Sequence, residues 1–299
     1  MLKTLTLRRG ALKKINGMKN NLSEEIRNWV TTFSSGWFTT AELDRDLNIV
    51  TSQGKTLRRV VLKALYDEGV LVRDSQRSGR YRIISEGAPV LEWQDADESN
   101  YLNIEYPFKL HELIRTYPKN LIVLAGSPDA GKSAFCFDFI KRNMKRWPIV
   151  YFTSEMGAEE LKVRLSKFDI PLDEWQFEAR ERSSNFADVI YPDWINIIDY
   201  IEITSGEFFL MANELRMIFD KLNKGVALVT LQKKRGVELG RGAEFSLEKP
   251  RLYLSMDSGR LRIVKAKNWV NGTVNPNGLA YSYKLVDGCK FVNIQESEY

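Results

Sequence analysis

Apolar positions along this chain follow two kinds of pattern. Up to residue 85 they recur mostly at helical spacing, and beyond 107 they form short continuous runs separated by amphipathic stretches. Leu22, Ile26, Trp29, Val30 and Phe33 share one face of a helix that Ser34, Ser35 and Gly36 end. Trp37 and Phe38 read as a short strand. A second helix over 41–47 is capped by Thr39 or Thr40, with Glu42 three residues after Thr39 in a capping-box arrangement. After a loop over 48–54, a third helix over 55–68 puts Leu57, Val61, Ala64 and Leu65 on one face. Lys55, Arg59 and Lys63 lie on another, with Arg58 beside them, and Gly69 stops the helix. Residues 70–73 and 80–84 read as two strands around the turn 74–79.

The second pattern begins near Pro107, with a helix-like lead-in over 108–117. The runs 121–125, 148–153, 194–199 and 226–231 read as buried strands. Between them, helical segments are expected after 131 (Phe135, Phe139, Ile140 and Met144 on one face) and over 158–168, 172–182 and 206–222. Strands alternating with helices, each strand ending in a polar residue, predict an α/β fold. Its central sheet is mostly parallel, with ligands at the carboxyl ends of the strands. Residues 251–256 and 260–264 then form a hairpin around Asp257, Ser258 and Gly259, and 278–293 forms a last hairpin closing the sheet.

Charge divides the chain in the same way. The net charge is +5, but residues 1–85 carry 16 Lys/Arg against 8 Asp/Glu. Residues 86–106 hold Glu86, Glu92, Asp95, Asp97, Glu98 and Glu105 and no base, so they read as an acidic linker. Residues 1–21 carry only bases and read as a disordered arm, with Met18 an alternative start. Expected domains are therefore 22–85 and 107–299. A basic domain of this kind points to nucleic acid, with a solvated charged face as the plain alternative. No apolar run reaches the length of a membrane span. Two distant cysteines, Cys136 and Cys289, give no disulfide framework and fit a reducing, cytoplasmic setting. The single histidine, His111, excludes a His-rich metal site and reads as structural.

The chemistry concentrates in Gly126, Ser127, Pro128, Asp129, Ala130, Gly131, Lys132 and Ser133, between a strand and a helix. This is the P-loop pattern: backbone N–H groups of the loop and helix N-terminus face phosphate oxygens, and glycines allow close approach. Lys132 reaches the β/γ-phosphates of ATP and Ser133 can ligate Mg²⁺.

With Glu155 after the second strand, Asp199 after the third and Gln232 after the fourth, residues 107–293 resemble the ATPase core of the RecA superfamily. Among its branches they resemble the DnaB-type replicative helicases and their phage and mobile-element relatives. The resemblance implies that Glu155 polarises the attacking water, that Asp199 holds Mg²⁺ through water, and that Gln232 senses the γ-phosphate. It also makes the basic loop after Gln232, with Lys233, Lys234, Arg235 and Arg241, a grip on single-stranded DNA. A nucleotide-proximal or interface loop is the alternative. Lys265 and Lys267 stand where helicase relatives place a trans-acting Lys-x-Arg pair, implying a homo-oligomeric ring or filament. The three helices and basic hairpin over 22–85 resemble the winged helix-turn-helix family. That implies Lys55, Arg58, Arg59 and Lys63 in a major groove and Arg77 and Arg80 on backbone or minor groove; a protein-docking role stays open. The function so implied is an ATP-dependent DNA motor or assembly ATPase in replication or recombination. An ATP-gated adaptor or loader, or a transcription regulator with an ATPase switch, stands beside it.

Overall fold

The computed structural model describes residues 22–31, 36–84, 91–201 and 209–297. The expected basic arm 1–21 and residues Phe33, Ser34 and Ser35 lie outside them. The chain divides into two units, Met1–Asp95 and Ala96–Tyr299.

The first unit runs α1 (22–31), β1 (Phe38–Thr39), α2 (Thr40–Asp46), α3 (Ser52–Asp67), β2 (Leu71–Arg73) and β3 (Arg80–Ile83). The strands form a small antiparallel sheet in the order β1-β3-β2. Its core takes one face from each helix: Ile26 and Val30 from α1, Leu43 from α2, and Val61, Leu62 and Leu65 from α3, closed by Phe38 and Leu71. Thr39 caps α2 in a full capping box, with its backbone N–H donating to Glu42 Oε2 at 2.6 Å. The third helix starts earlier than its apolar spacing indicates. Thr51 Oγ1 accepts from the Gly54 N–H, and Gly54 is buried against Ile49, so an expected loop becomes the first turn.

The second unit is built on a nine-stranded sheet. Its strands are β4 (Leu121–Gly126), β5 (Ile149–Thr153), β6 (Glu178–Glu181), β7 (Ile195–Asp199), β8 (Val226–Gln232), β9 (Leu252–Asp257), β10 (Arg260–Ala266), β11 (Ala280–Val286) and β12 (Lys290–Ser297). The order is β12-β11-β10-β9-β4-β8-β7-β5-β6. The strands from β9 to β6 in that order are parallel, and β9 through β12 continue as an antiparallel meander. Alternate residues of the central strands feed opposite faces. Ile122 and Leu124 pack with α4 (Lys132–Asn143) and α5 (Ala158–Leu165), whereas Leu121, Val123 and Ala125 pack with α6 (Phe209–Lys221). Burial on both faces explains why these strands read as largely apolar runs rather than alternating ones.

Three expectations are corrected here. Residues 172–182 are not a helix but a single turn, Leu172–Glu174, followed by β6. Glu178, Ala179, Arg180 and Glu181 favour helix by composition, but the open edge of β5 offers them a parallel ladder, and pairing outweighs propensity. The lead-in over 108–117 is a short 3-10 segment, Pro107–Glu112, broken by positive φ at Phe108 and Lys109. That turn drives the Phe108 ring among Phe135, Tyr281, Tyr283 and Phe291. The acidic linker ends before 106: Ile104 and Tyr106 are buried, and the Glu105 N–H donates to Asn143 Oδ1 of α4. His111 is structural, its Nδ1 accepting from the Tyr106 N–H.

Candidate active site

The parallel register sets four strand ends side by side. Gly126 pairs with Gln232, Thr153 with Asp199, and Ile198 with Val229. A cleft of 380 Å³ opens over these ends, lined by residues of the loop after β4 and by Lys132, Ser133, Glu155, Asp199 and Gln232. Residues far apart in sequence thus meet because a parallel sheet points all its carboxyl ends the same way.

The loop between β4 and α4 has the backbone a phosphate cradle needs. Asp129 has φ 60° and Gly131 φ 96°. Gly131 is the N-cap of α4 and supplies no side-chain cap, so the first N–H groups of the helix face the cleft without one. A Cβ on Gly126 would lie 2.5 Å from Lys132 Cγ. Lys132 folds back, its ammonium donating to the carbonyls of Gly126 at 3.2 Å and Ser127 at 3.1 Å. Burial lowers its pKa, while the charges of Asp199 and Glu155 oppose that shift and keep anionic partners within reach.

Asp199 is buried, and each of its carboxylate oxygens has a donor. Tyr151 Oη donates to Oδ2 at 2.8 Å and Thr230 Oγ1 to Oδ1 at 2.7 Å. Tyr151 is itself buried, and desolvation together with the Asp199 charge raises its phenol pKa well above the ordinary value, so it stays a donor. Glu155 is exposed at the rim, beyond the Thr153 hydroxyl that accepts from its N–H. Among the described residues no group of three or more His, Cys, Asp or Glu gathers as a metal cage. One hydroxyl, Ser133, and one carboxylate, Asp199, make a donor set suited to Mg²⁺. That ion keeps most of its waters and takes few protein ligands when a phosphate is present.

Tyr151, Thr230, Arg164, Leu285 and Gly288 also belong to this site or its wall, and sequence pattern did not single them out. A signal existed for two of them: Tyr151 and Thr230 interrupt runs otherwise apolar, and a polar group inside a buried strand needs a partner. Arg164, Leu285 and Gly288 carry no such mark.

The candidate nucleic-acid residues separate into free and engaged side chains. After Gln232, the residues Lys234, Arg235 and Arg241 are exposed. Lys233 is not available to a ligand: its side chain is fully buried, and its ammonium donates to Asp257 Oδ2 at 2.7 Å and Val237 O at 2.8 Å. In the first unit Lys55, Arg59 and Arg77 are exposed, and Lys63 is exposed beside Asp67. Arg58 is withdrawn into an ion pair with Asp44 and a bond to Thr40 O, which joins α3 to α2. Arg80 pairs with Asp74 and lies over the Trp37 ring. A groove of 520 Å³ beside α3 is lined by Arg59, Lys63, Tyr66, Arg73 and Tyr81. Lys265 and Lys267 lie at the end of the sheet away from the P-loop, because β10 runs antiparallel to β9 and pairs Lys265 with Tyr253. Lys267 is exposed, and Lys265 donates to Leu247 O. Burial and the neighbouring Lys267 and Arg251 charges lower the Lys265 pKa.

No family model matches the chain. Over 109 residues it is 28% identical to a probable replicative DNA helicase of Guillardia theta, covering 32% of this chain and 18% of that protein. Over 61 residues it is 38% identical to a probable replicative DNA helicase of Trieres chinensis, covering 19% of this chain and 13% of that one. The matched segments thus span less than a fifth of either relative. Among solved structures, a KaiC-like protein, PH0186 from Pyrococcus horikoshii OT3, aligns over 66% of this chain and 99% of its own at 15% identity and a TM-score of 0.49. Among the described residues no helix is long and apolar enough to cross a membrane.

Proposed function

We propose that the chain is a DNA-binding ATPase of RecA type, close to the replicative helicases, acting in the cytoplasm. Its ATP sits at the interface of a homo-oligomer. The observation that carries this reading is the cleft that gathers Lys132, Ser133, Glu155, Asp199 and Gln232 from the loop and strand ends of one sheet. Phosphoryl transfer asks for positioning and charge neutralisation rather than covalent chemistry, and these side chains are of those kinds. The uncapped N–H groups of α4 and the Lys132 ammonium bind the phosphates. Glu155, at the wet rim, orients the attacking water. Gln232 ends the strand paired to the loop and leads directly into 233–241, where Lys234, Arg235 and Arg241 contact single-stranded DNA. Mg²⁺, held by Ser133 and through water by Asp199, supplies charge neutralisation on the transferred group. Residues 22–85 act as a winged helix that presents Lys55, Arg59, Lys63 and Arg77 to duplex DNA, and Lys265 and Lys267 face the neighbouring copy's nucleotide.

A second reading, an ATP-gated adaptor or loader that does not unwind DNA, is favoured by lysine at both 265 and 267. An ammonium lacks the planar fork that lets an arginine bridge two phosphate oxygens. Steady-state turnover tests the core reading. Lys132→Ala is expected to abolish ATP hydrolysis that single-stranded DNA stimulates in the parent, and unchanged turnover in the variant refutes the site. A strand-displacement assay then separates motor from adaptor.

A further inference from the structure

Behind the cleft lies a set of linked polar groups that the chemistry above does not use, with Tyr283 and Lys233 buried and Asp257 partly exposed. Tyr283, on β11, has its hydroxyl 2.6 Å from Ala130 O in the P-loop and 2.9 Å from Asp257 O at the end of β9. A phenol carries one proton and both neighbours are acceptors, so the two carbonyls share one donor. The Tyr283 ring is packed against Phe108 and Phe291, which fixes the base from which the hydroxyl reaches. Asp257 in turn accepts the Lys233 ammonium through Oδ2, while its Oδ1 is buried without a partner. Lys233 also donates from Nζ to Val237 O, and its backbone N–H donates to Gly126 O at 3.1 Å. A continuous bonded path therefore runs from the P-loop carbonyl of Ala130 through Tyr283, Asp257 and Lys233 to Val237.

The two ends of this path are the two parts of the molecule that the proposed cycle must link. One end is the loop that receives phosphates. The other is the segment carrying Lys234, Arg235 and Arg241. The middle cannot slacken cheaply, because a fully buried ammonium that loses its carboxylate is left as an uncompensated charge. A shift of the Ala130 carbonyl redistributes the Tyr283 hydrogen bond toward or away from Asp257, and Lys233 must follow Asp257.

We infer that Tyr283, Asp257 and Lys233 are positioning residues that tie the P-loop to the loop at 233–241, so that filling the phosphate cradle resets the exposed cations of that loop. The inference rests on the ATP reading above. Its test uses the full chain, measuring amide hydrogen exchange over 234–241 with and without Mg²⁺ and a slowly hydrolysed ATP analogue. A fluorescent ADP analogue reports binding separately. In the parent, nucleotide is expected to change exchange over 234–241 by at least about fivefold, the low end of coupling between linked sites. Tyr283→Phe keeps the ring and removes the shared proton. It is expected to bind the ADP analogue as the parent does and to lose the exchange response. Asp257→Asn, which keeps shape and removes the charge, is expected to do the same. If both variants bind nucleotide and keep the parent's response, the relay is refuted. A parent that binds nucleotide without any response also refutes it and leaves the ATP site standing. A parent that binds no nucleotide refutes the ATP reading itself.

Discussion

Replacing Thr230 by valine removes one hydroxyl from the centre of the sheet and almost no volume. The structure assigns that hydroxyl one task. It donates to Asp199 Oδ1 at 2.7 Å, in surroundings where Thr230 is 0% and Asp199 4% exposed. Tyr151 donates to the other oxygen, Oδ2, so Thr230 is the hydroxyl that serves Oδ1. A hydrogen bond to a charged group contributes about 1.5–3 kcal/mol. With a urea slope of about 2–3 kcal/mol per molar for a unit of this size, the midpoint should fall by roughly 0.5–1.5 M. The expected readout is a two-step urea titration followed by tryptophan fluorescence, in which the transition of the second unit moves and that of the first does not. Thr230→Ser, which restores the donor, should recover most of the loss. Turnover should demand more Mg²⁺ in the valine variant, since Asp199 is held by one donor instead of two. The reasoning is refuted if valine and serine variants unfold at the parent's midpoint with the parent's Mg²⁺ requirement. It is also refuted if a double-mutant cycle with Asp199→Asn couples by less than about 0.5 kcal/mol, the level expected of independent sites.

Three further outcomes follow from other parts of the chain. Gly225→Ala should be among the most destabilising single changes, losing more than about 4 kcal/mol in the same titration, because the added Cβ would sit 2.1 Å from Trp194 O and 2.6 Å from Trp194 N, atoms of a neighbouring backbone that cannot swing aside. For single-stranded DNA, Arg241→Ala should lower the slope of log affinity against log salt by roughly 0.7. Lys234→Ala should lower it similarly, because that side chain is exposed, whereas the Lys233 ammonium is buried on Asp257 and contributes no phosphate contact of its own; an unchanged slope in both alanine variants would refute the placement of DNA on this loop. In the first unit, Glu42→Ala should cost about 1 kcal/mol near neutral pH through loss of the capping box. The Thr39 backbone N–H and hydroxyl hold the Glu42 pKa below the ordinary value. The contribution is therefore complete above the unfolded pKa of about 4.3 and is lost as the pH falls through the lower folded value. Unfolding curves of parent and variant at about pH 6 and pH 3 should differ in the first case and converge in the second.

Much of the fold was legible because burial on both faces leaves a signature that does not depend on neighbours. Residues 121–125, 148–153, 194–199 and 226–231 are mostly apolar, and β4, β5, β7 and β8 coincide with them to within one residue at either end. The one strand misread as a helix, β6, is exposed along its length, so its residues carry no burial pattern and its state is set by the edge it meets. The same contrast holds in the site. Gly126 through Ser133 can be read locally because the requirements are local: positive φ, close backbone approach and a helix N-terminus. Tyr151 and Thr230 could not be assigned to Asp199 from sequence, since the three belong to three strands and meet only through register.

Sequence by itself determined which segments are strands buried on both faces, where the P-loop lies and which strand ends carry an acid or an amide. It did so because hydrophobic periodicity and backbone conformational demands are properties of short stretches. Which of the basic side chains face a ligand was decided only by the tertiary structure. Lys233 and Lys234 are adjacent and chemically identical, yet one is sealed against Asp257 and the other is exposed. Arg58 and Arg59 divide in the same way, one held by Asp44 and the other exposed. A charge says only that water or a partner is needed, and the fold chooses which.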